Sequence, residues 1–270
     1  MLATCHLKWQ AGRSLFCKKM SGHSKWHSIR HKKGANDAAR GKVFTRHARL
    51  ITIAAREGGG DLEMNATLKT AIENAKADNM PNANIERAIK KGTGGDKDCA
   101  QLVQMSFEGY GPAGVAVMVD CVSDNKNRTV ASVRSIFNKS GGNLGESGSV
   151  SWIFQQKGRL EIDCPPAQRE ELELLAIENG ASDIAPSGEG LEIFCEMGDL
   201  ATLKKALADF SAATIQHAKV EMIPQNTVQI SDPAVAKKVL HLMEKLEDDD
   251  DVSSVCANFE IDEEILNSLA

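Results

Sequence analysis

Between Ser21 and Arg56 the chain places nine Lys or Arg residues against a single acid, Asp37, although its overall net charge is -5. Cations gathered in this way do the chemistry of polyanion recognition, in which guanidinium and ammonium groups meet phosphate oxygens. The second half of the stretch has a helical geometry. At about 100° per residue, Arg46, Arg49 and Arg56 fall within roughly 40° of Lys42, while Phe44, Ala48, Ile51 and Ala55 fall on the opposite side. The spacing therefore predicts a helix with one core face and one cationic face, N-capped by Asp37 and stopped by Gly58-Gly59-Gly60. The first half, Ser21 to Lys33, has no such period and reads as a flexible basic arm. The nucleic-acid-binding set expected from both halves is Lys25, Trp26, Arg30, His31, Lys32, Lys33, Arg40, Lys42, Arg46, Arg49 and Arg56. Trp26 is placed to stack on a base, and Arg30, Arg46 and Arg49 to bridge strands.

Other chemistries compete for these residues and for the remaining motifs. His23, His27 and His31 recur every four residues, which on a helix would align three metal ligands. They lie among cations that repel a metal ion, without a nearby Cys or a fourth carboxylate, so a place beside phosphates or bases fits them better. Gly41-Lys42 resembles the end of a phosphate-binding loop, but Val43 stands where Ser or Thr is required. The glycine-rich GYGPAG and GGNLGESGS stretches can cradle phosphate through backbone N–H groups, yet tight turns account for the glycines more simply. Asp248 to Asp251 lacks the ligand spacing of a calcium loop and reads as a solvated turn after a helix. No Ser/His/Asp or Cys/His arrangement emerges, and the chain is expected to be non-enzymatic, with no metal and no cofactor.

Bulk properties sharpen the picture. Residues 1–95 carry 18 basic and 7 acidic side chains and the rest of the chain 14 and 30, so the pI of 5.8 conceals a bipolar molecule. One end is built to approach a polyanion, and the acidic remainder to face away from it. Seven dispersed cysteines without a CxxC pair fit a reducing compartment. Aromatics amount to 4%, which disfavours a site built on stacked rings. No apolar run is long enough to span a bilayer, so no membrane partner is expected. The first nineteen residues are basic and free of acids, as mitochondrial presequences are. They also fit an extension upstream of a start at Met20, the reading favoured here.

The elements that must position the cations follow from periodicity. Leu68, Ala71, Ile72 and Ala75 mark a second helix, and Met80-Pro81 breaks it. Asn82 then caps a third helix with Ile85, Ala88 and Ile89 inward and Arg87, Lys90 and Lys91 outward. Residues 21–95 thus form a basic arm and helical domain behind a 1–20 extension. Gln101 to Glu108 and Val115 to Val122 predict a hairpin, Asp124 or Asn125 caps a helix carrying Val130, Val133, Ile136 and Phe137, and Ser149 to Phe154 reads as a strand. Residues 158–225 run βαββαβ, a ferredoxin-like order, with Leu160, Ile162 and Cys164 on one face. Thr227 to Ile230, a helix from Pro233 and a strand from Val252 to Phe259 then need a sheet to join. The expected fold is α+β in three domains: the helical one, a discontinuous middle one (96–157 plus 226–270) and an inserted ferredoxin-like one (158–225).

Seven blocks carry a family resemblance: SGHSKWHSIRHKK (21–33), RGKVFT (40–45), AAREGGGD (54–61), NMPNANIERAIKKG (79–92), FEGYGPAGVAVMV (107–119), DNKNRTVASVR (124–134) and GGNLGESGSVSWIF (141–154). In this order they resemble the YebC family, whose mitochondrial branch contains translational activators of cytochrome c oxidase. The resemblance covers about the first 155 residues densely and the remainder mainly in element order. It implies a three-domain α/β protein without known catalytic activity. Some members are labelled DNA-binding transcriptional regulators; others are described as ribosome-associated factors that aid translation, including through proline-rich stretches. The lead expectation is a ribosome- or RNA-associated translation factor, with a DNA-binding transcriptional regulator as the alternative. The intact GHSKW, NMP and DNKNRT blocks resemble bacterial members, implying a cytoplasmic location; the mitochondrial matrix is the alternative if residues 1–19 are a presequence.

Overall fold

The computed structural model describes residues 37–94, 102–187, 190–262 and 264–266. The expected arm at 21–33 lies outside them. Helix α1 (Asp37–Gly58) packs against α2 (Ala66–Ala77) and α3 (Asn82–Gly92). Its apolar face enters a core of Ile51, Ala54, Ala55, Leu68, Ile72, Met80, Ile85 and Ala88, with Phe44 and Ala48 packed against it. That face is the one the periodicity predicts. Asn65 ties the turn between α1 and α2: its carbonyl oxygen caps α2 by accepting from Leu68 N at 3.0 Å, and its amide donates to Ala54 O and Gly59 O at 2.8 Å. The expected cap of α3 is displaced by one residue. Pro81, extended at φ -60° and ψ 138°, takes the cap position without a side-chain bond, and Asn82 is the first helical residue. Proline's fixed φ ends the preceding turn and points the chain directly into the helix.

The middle sheet has strand order β3-β1-β2-β9. Strands β1 (Val103–Tyr110) and β2 (Ala116–Ser123) form the predicted hairpin, with Tyr110 opposite Ala116. The turn is closed by Ala113 and Gly114, whose φ values are +59° and +74°. Asn125, not Asp124, caps α4 (Lys126–Lys139), which lays Val133 and Phe137 on the sheet. Short β3 (Asn143–Leu144) pairs with β1, and β9 (Val252–Ala257) arrives from the far end of the chain to pair with β2. The middle unit is therefore built from two separated segments. Helix α7 (Pro233–Glu247), capped by Asp232 with Pro233 in its first turn, covers the same core through Val239, Leu242, Met243 and Leu246.

Three expected strands differ from those observed. Residues 151–153 form a short 3-10 turn leading into β4, not a strand of their own. The single closing strand is split at Asn258 into β9 and β10 (Phe259–Ile261). Asn258 accepts from Ala116 N through its side chain at 2.7 Å and from Val228 N through its carbonyl at 2.7 Å, so its backbone leaves one sheet for another. Accordingly β8 (Val228–Ile230) pairs in parallel with β10 in a two-stranded sheet and does not extend the larger one.

Strands β4 (Phe154–Asp163), β5 (Ala181–Ser187), β6 (Gly190–Glu196) and β7 (Thr214–Pro224), with α5 (Arg169–Glu178) and α6 (Leu200–Ala208), form an antiparallel sheet in the order β5-β6-β4-β7. This is the ferredoxin-like arrangement. Leu160, Ile162 and Cys164 face the helices as predicted. Arg159 points the other way and is nonetheless buried, paired with Glu192 at 2.5 Å and Glu221 at 3.2 Å. Fold class and element order thus follow the sequence reading.

Candidate nucleic-acid interface

The cationic face of α1 forms as a continuous line, and its occupants come from the protein itself. Lys42 Nζ donates to Asp248 O at 2.9 Å, and Arg46 donates to Glu247 O at 3.0 Å. Arg49 donates to Val122 O at 3.0 Å, to Asp250 O, and to Asp251 Oδ1 at 3.2 Å. Arg56 donates to Leu102 O at 2.7 Å. Lys42, Arg46 and Arg49 thus lie along the last turn of α7 and the loop after it, where orphaned helix carbonyls and the helix dipole concentrate negative potential. Arg40 stands exposed at the start of α1. Lys25, Trp26, Arg30, His31, Lys32 and Lys33 fall outside the described residues.

The loop that receives the line is not the solvated turn expected from its four aspartates. Asp250 is exposed, whereas Asp251 is 6% exposed. Val122 N donates to Asp251 O at 2.7 Å, which registers the loop against the end of β2 and turns the Asp251 side chain inward. There its carboxylate accepts from Ser123 Oγ at 3.0 Å, Thr129 Oγ1 at 2.9 Å and Arg128 at 3.0 Å, besides Arg49. Burial pushes its pKa up, but the hydroxyls of Thr129 and Ser123 and the Arg128 guanidinium outweigh this and hold it below the usual carboxylate range. Asp251 therefore joins β2, α4, α1 and the end of α7.

A second joint seats the helical unit on the ferredoxin-like domain. Asn74 of α2 exchanges two hydrogen bonds with the Ala218 backbone of β7, at 3.0 and 3.2 Å, and Lys204 pairs with Glu73. Asp78 lies between His47 at 2.6 Å and His217 at 3.8 Å. Burial lowers the His217 pKa against the opposing pull of Asp78 and Glu161.

The glycine-rich loop considered above as a phosphate cradle already holds an anion of its own. Buried Glu108 accepts from the N–H groups of Gly148, Val150 and Ser151 at 2.7 to 2.8 Å. Its burial raises the pKa, and these three donors bring it below the ordinary value. Tyr110 and Trp152, both exposed, donate to the Ser149 carbonyl of the same loop. Among the described residues no group of His, Cys, Asp and Glu is arranged to hold a metal ion, and no helix is long and apolar enough to cross a membrane.

A family model described as the TACO1/YebC protein N-terminal domain matches residues 24–95, and one described as the TACO1/YebC second and third domain matches residues 102–259. A probable transcriptional regulatory protein of Moorella thermoacetica is 50% identical over 252 residues, covering 93% of this chain and 99% of the relative. One of Desulfitobacterium hafniense is 49% identical over 254 residues, covering 92% and 100%. The crystal structure of a conserved hypothetical protein, Aq1575, from Aquifex aeolicus superposes with a TM-score of 0.79 at 47% identity, over 85% of this chain and 94% of that one.

Proposed function

The chain belongs to the TACO1/YebC family, and from that premise we propose that it is a non-enzymatic, nucleic-acid-binding regulator of gene expression. Within that class, the reading favoured here is a translation factor that associates with RNA and the ribosome in a bacterial-type cytoplasm. The observation that carries it is the line of Lys42, Arg46 and Arg49 along one side of a packed helix, next in sequence to an arm with four more Lys or Arg residues between Ser21 and Lys33. In the structure these side chains meet oxygen acceptors spaced along a chain. A nucleic-acid backbone offers oxygens of the same kind with full negative charge, and charged acceptors bind Arg and Lys more strongly than carbonyls do. The acidic middle and ferredoxin-like domains are then free to meet basic ribosomal proteins.

A second reading, a DNA-binding transcriptional regulator using the same line, is favoured by the names of the relatives. Sedimenting a lysate through a sucrose gradient separates the two. The translation reading expects the protein with ribosomes at low salt and its release as salt rises. Retention at the top of the gradient, together with tight binding to one DNA operator, would establish the second reading instead.

A further inference from the structure

We propose that the end of α7 and its aspartate loop act as a built-in occupant of the cationic line, an autoinhibitory latch that a polyanion must displace before α1 can bind it. The proposal rests on the nucleic-acid reading above and adds its regulation. Three successive cations of α1 are engaged at once by Glu247, Asp248, Asp250 and Asp251, three of them through main-chain carbonyls. Main-chain acceptors in the last turn of a helix do not depend on side-chain identity, and the helix dipole adds to their pull. The contact is nevertheless a weak copy of what α1 suits. Apart from the Asp251 carboxylate on Arg49, the acceptors are carbonyls with a partial charge where a phosphate carries a full one, and the exchange needs no rearrangement of the cations along their helix.

The second joint makes displacement mechanically simple. Where α2 meets β7, the Asn74 amide and the Ala218 backbone are neutral partners, so a polyanion competes there with the Lys204–Glu73 pair and the contact of Asp78 with His217. The helical unit can therefore tilt about α2 while α1 lifts from α7. A latch of this kind reduces apparent affinity by the fraction of molecules that are open, so a tenfold preference for the closed form costs about tenfold in binding.

Asp250 offers a test that leaves every cation in place. Its side chain is exposed beside the carbonyl that Arg49 grips, so Asp250→Lys sets a like charge against the line, and Asp250→Asn removes charge only. Asp209→Lys, at the exposed end of α6, makes the same change in net charge away from the latch. Spin labels at Glu86→Cys and Lys238→Cys, with Cys5, Cys17 and Cys99 replaced by Ser, report the separation of α3 and α7 in the full chain. Binding is measured with a fluorescent oligouridylate.

The latch predicts that Asp250→Lys binds about tenfold more tightly than wild type. Asp250→Asn should fall between, Asp209→Lys should gain much less, and oligouridylate should lengthen the label distance in wild type. Equal gains for Asp250→Lys and Asp209→Lys, with a label distance that stays fixed as RNA binds, overturn the latch. If no variant binds RNA or duplex DNA although Asp250→Lys lengthens the distance, gating falls together with the nucleic-acid reading, and the distance record shows that the reading failed and not the joint.

Discussion

Replacing Asp251 by Asn keeps the size of the side chain but removes its charge and turns one acceptor oxygen into an amide donor. Asp251 is 6% exposed, and its carboxylate accepts from Thr129 Oγ1 at 2.9 Å and Ser123 Oγ at 3.0 Å. Hydrogen bonds to a charged group contribute about 1.5 to 3 kcal/mol each. Both hydroxyls donate to Oδ2, so Asn with its oxygen there keeps them only as neutral bonds, while its amide takes the Oδ1 position against the Arg128 and Arg49 donors. Arg128 is half exposed, so water screens its share and the hydroxyls and Arg49 dominate. The expected loss is about 3 kcal/mol, the lower end of the range for breaking a buried ion pair. It should appear in native-state hydrogen exchange as a roughly hundredfold faster opening of β2 and β9, the strands that meet at the Asp251 loop. Asp250→Asn, on the exposed neighbour, should change it by less than threefold. The effect also has a pH signature. Because the folded pKa of Asp251 lies below its unfolded value, its contribution is full above the ordinary carboxylate range and fades as pH falls through the folded value. Wild type and Asp251→Asn should therefore converge in acid. A loss under threefold at neutral pH, or a difference that persists in acid, would refute the claim that this carboxylate organises the joint.

Three further outcomes follow from the same contacts. Glu108→Gln should destabilise the 141–151 loop by about 2 kcal/mol, since one amide cannot accept from three N–H groups; amide exchange at Gly148, Val150 and Ser151 reads this directly. His217, flanked by Asp78, Glu161, Lys219 and His47, has a folded pKa below 6.5, so its contribution is present above that value and lost as pH falls. His217→Gln should accordingly remove the part of the stability decline between neutral pH and pH 5 that belongs to the α2–β7 joint, measured by thermal unfolding across that range. Gly92→Ala should cost about 1 to 3 kcal/mol, because a Cβ there would press on Thr52 O and lie 2.7 Å from Ala55 Cβ at the α1–α3 contact; the thermal midpoint checks it.

Periodicity alone placed the three helices of the N-terminal unit and the two faces of α1, because a packed amphipathic helix leaves its pattern in the spacing of Phe44, Ala48, Ile51 and Ala55. The ferredoxin-like order was legible for the same reason, through the alternation of Leu160, Ile162 and Cys164 and the helical spacing of Leu200, Leu203 and Leu207. Contacts made by the backbone left no such record. The carbonyls that hold Lys42 and Arg46 have no sequence signature, and the split at Asn258 depends on a side chain that bonds the main chain of a strand about 140 residues away. Asp251 was indistinguishable from its acidic neighbours until the register of its loop against Val122 turned it inward. A near signal did exist for it, since Ser123, Arg128 and Thr129 form a cluster of donors at the start of α4 that calls for a buried acceptor.

The central claim is that the face of α1 carrying Lys42, Arg46 and Arg49, with the basic stretch before it, is where nucleic acid binds. Photo-cross-linking of protein bound to ribosomes or to 4-thiouridine-substituted RNA, followed by mass spectrometric mapping, tests it without altering any residue. The account predicts cross-links concentrated in residues 21–56. Cross-links confined to the middle and ferredoxin-like domains, with none in that stretch, would contradict it.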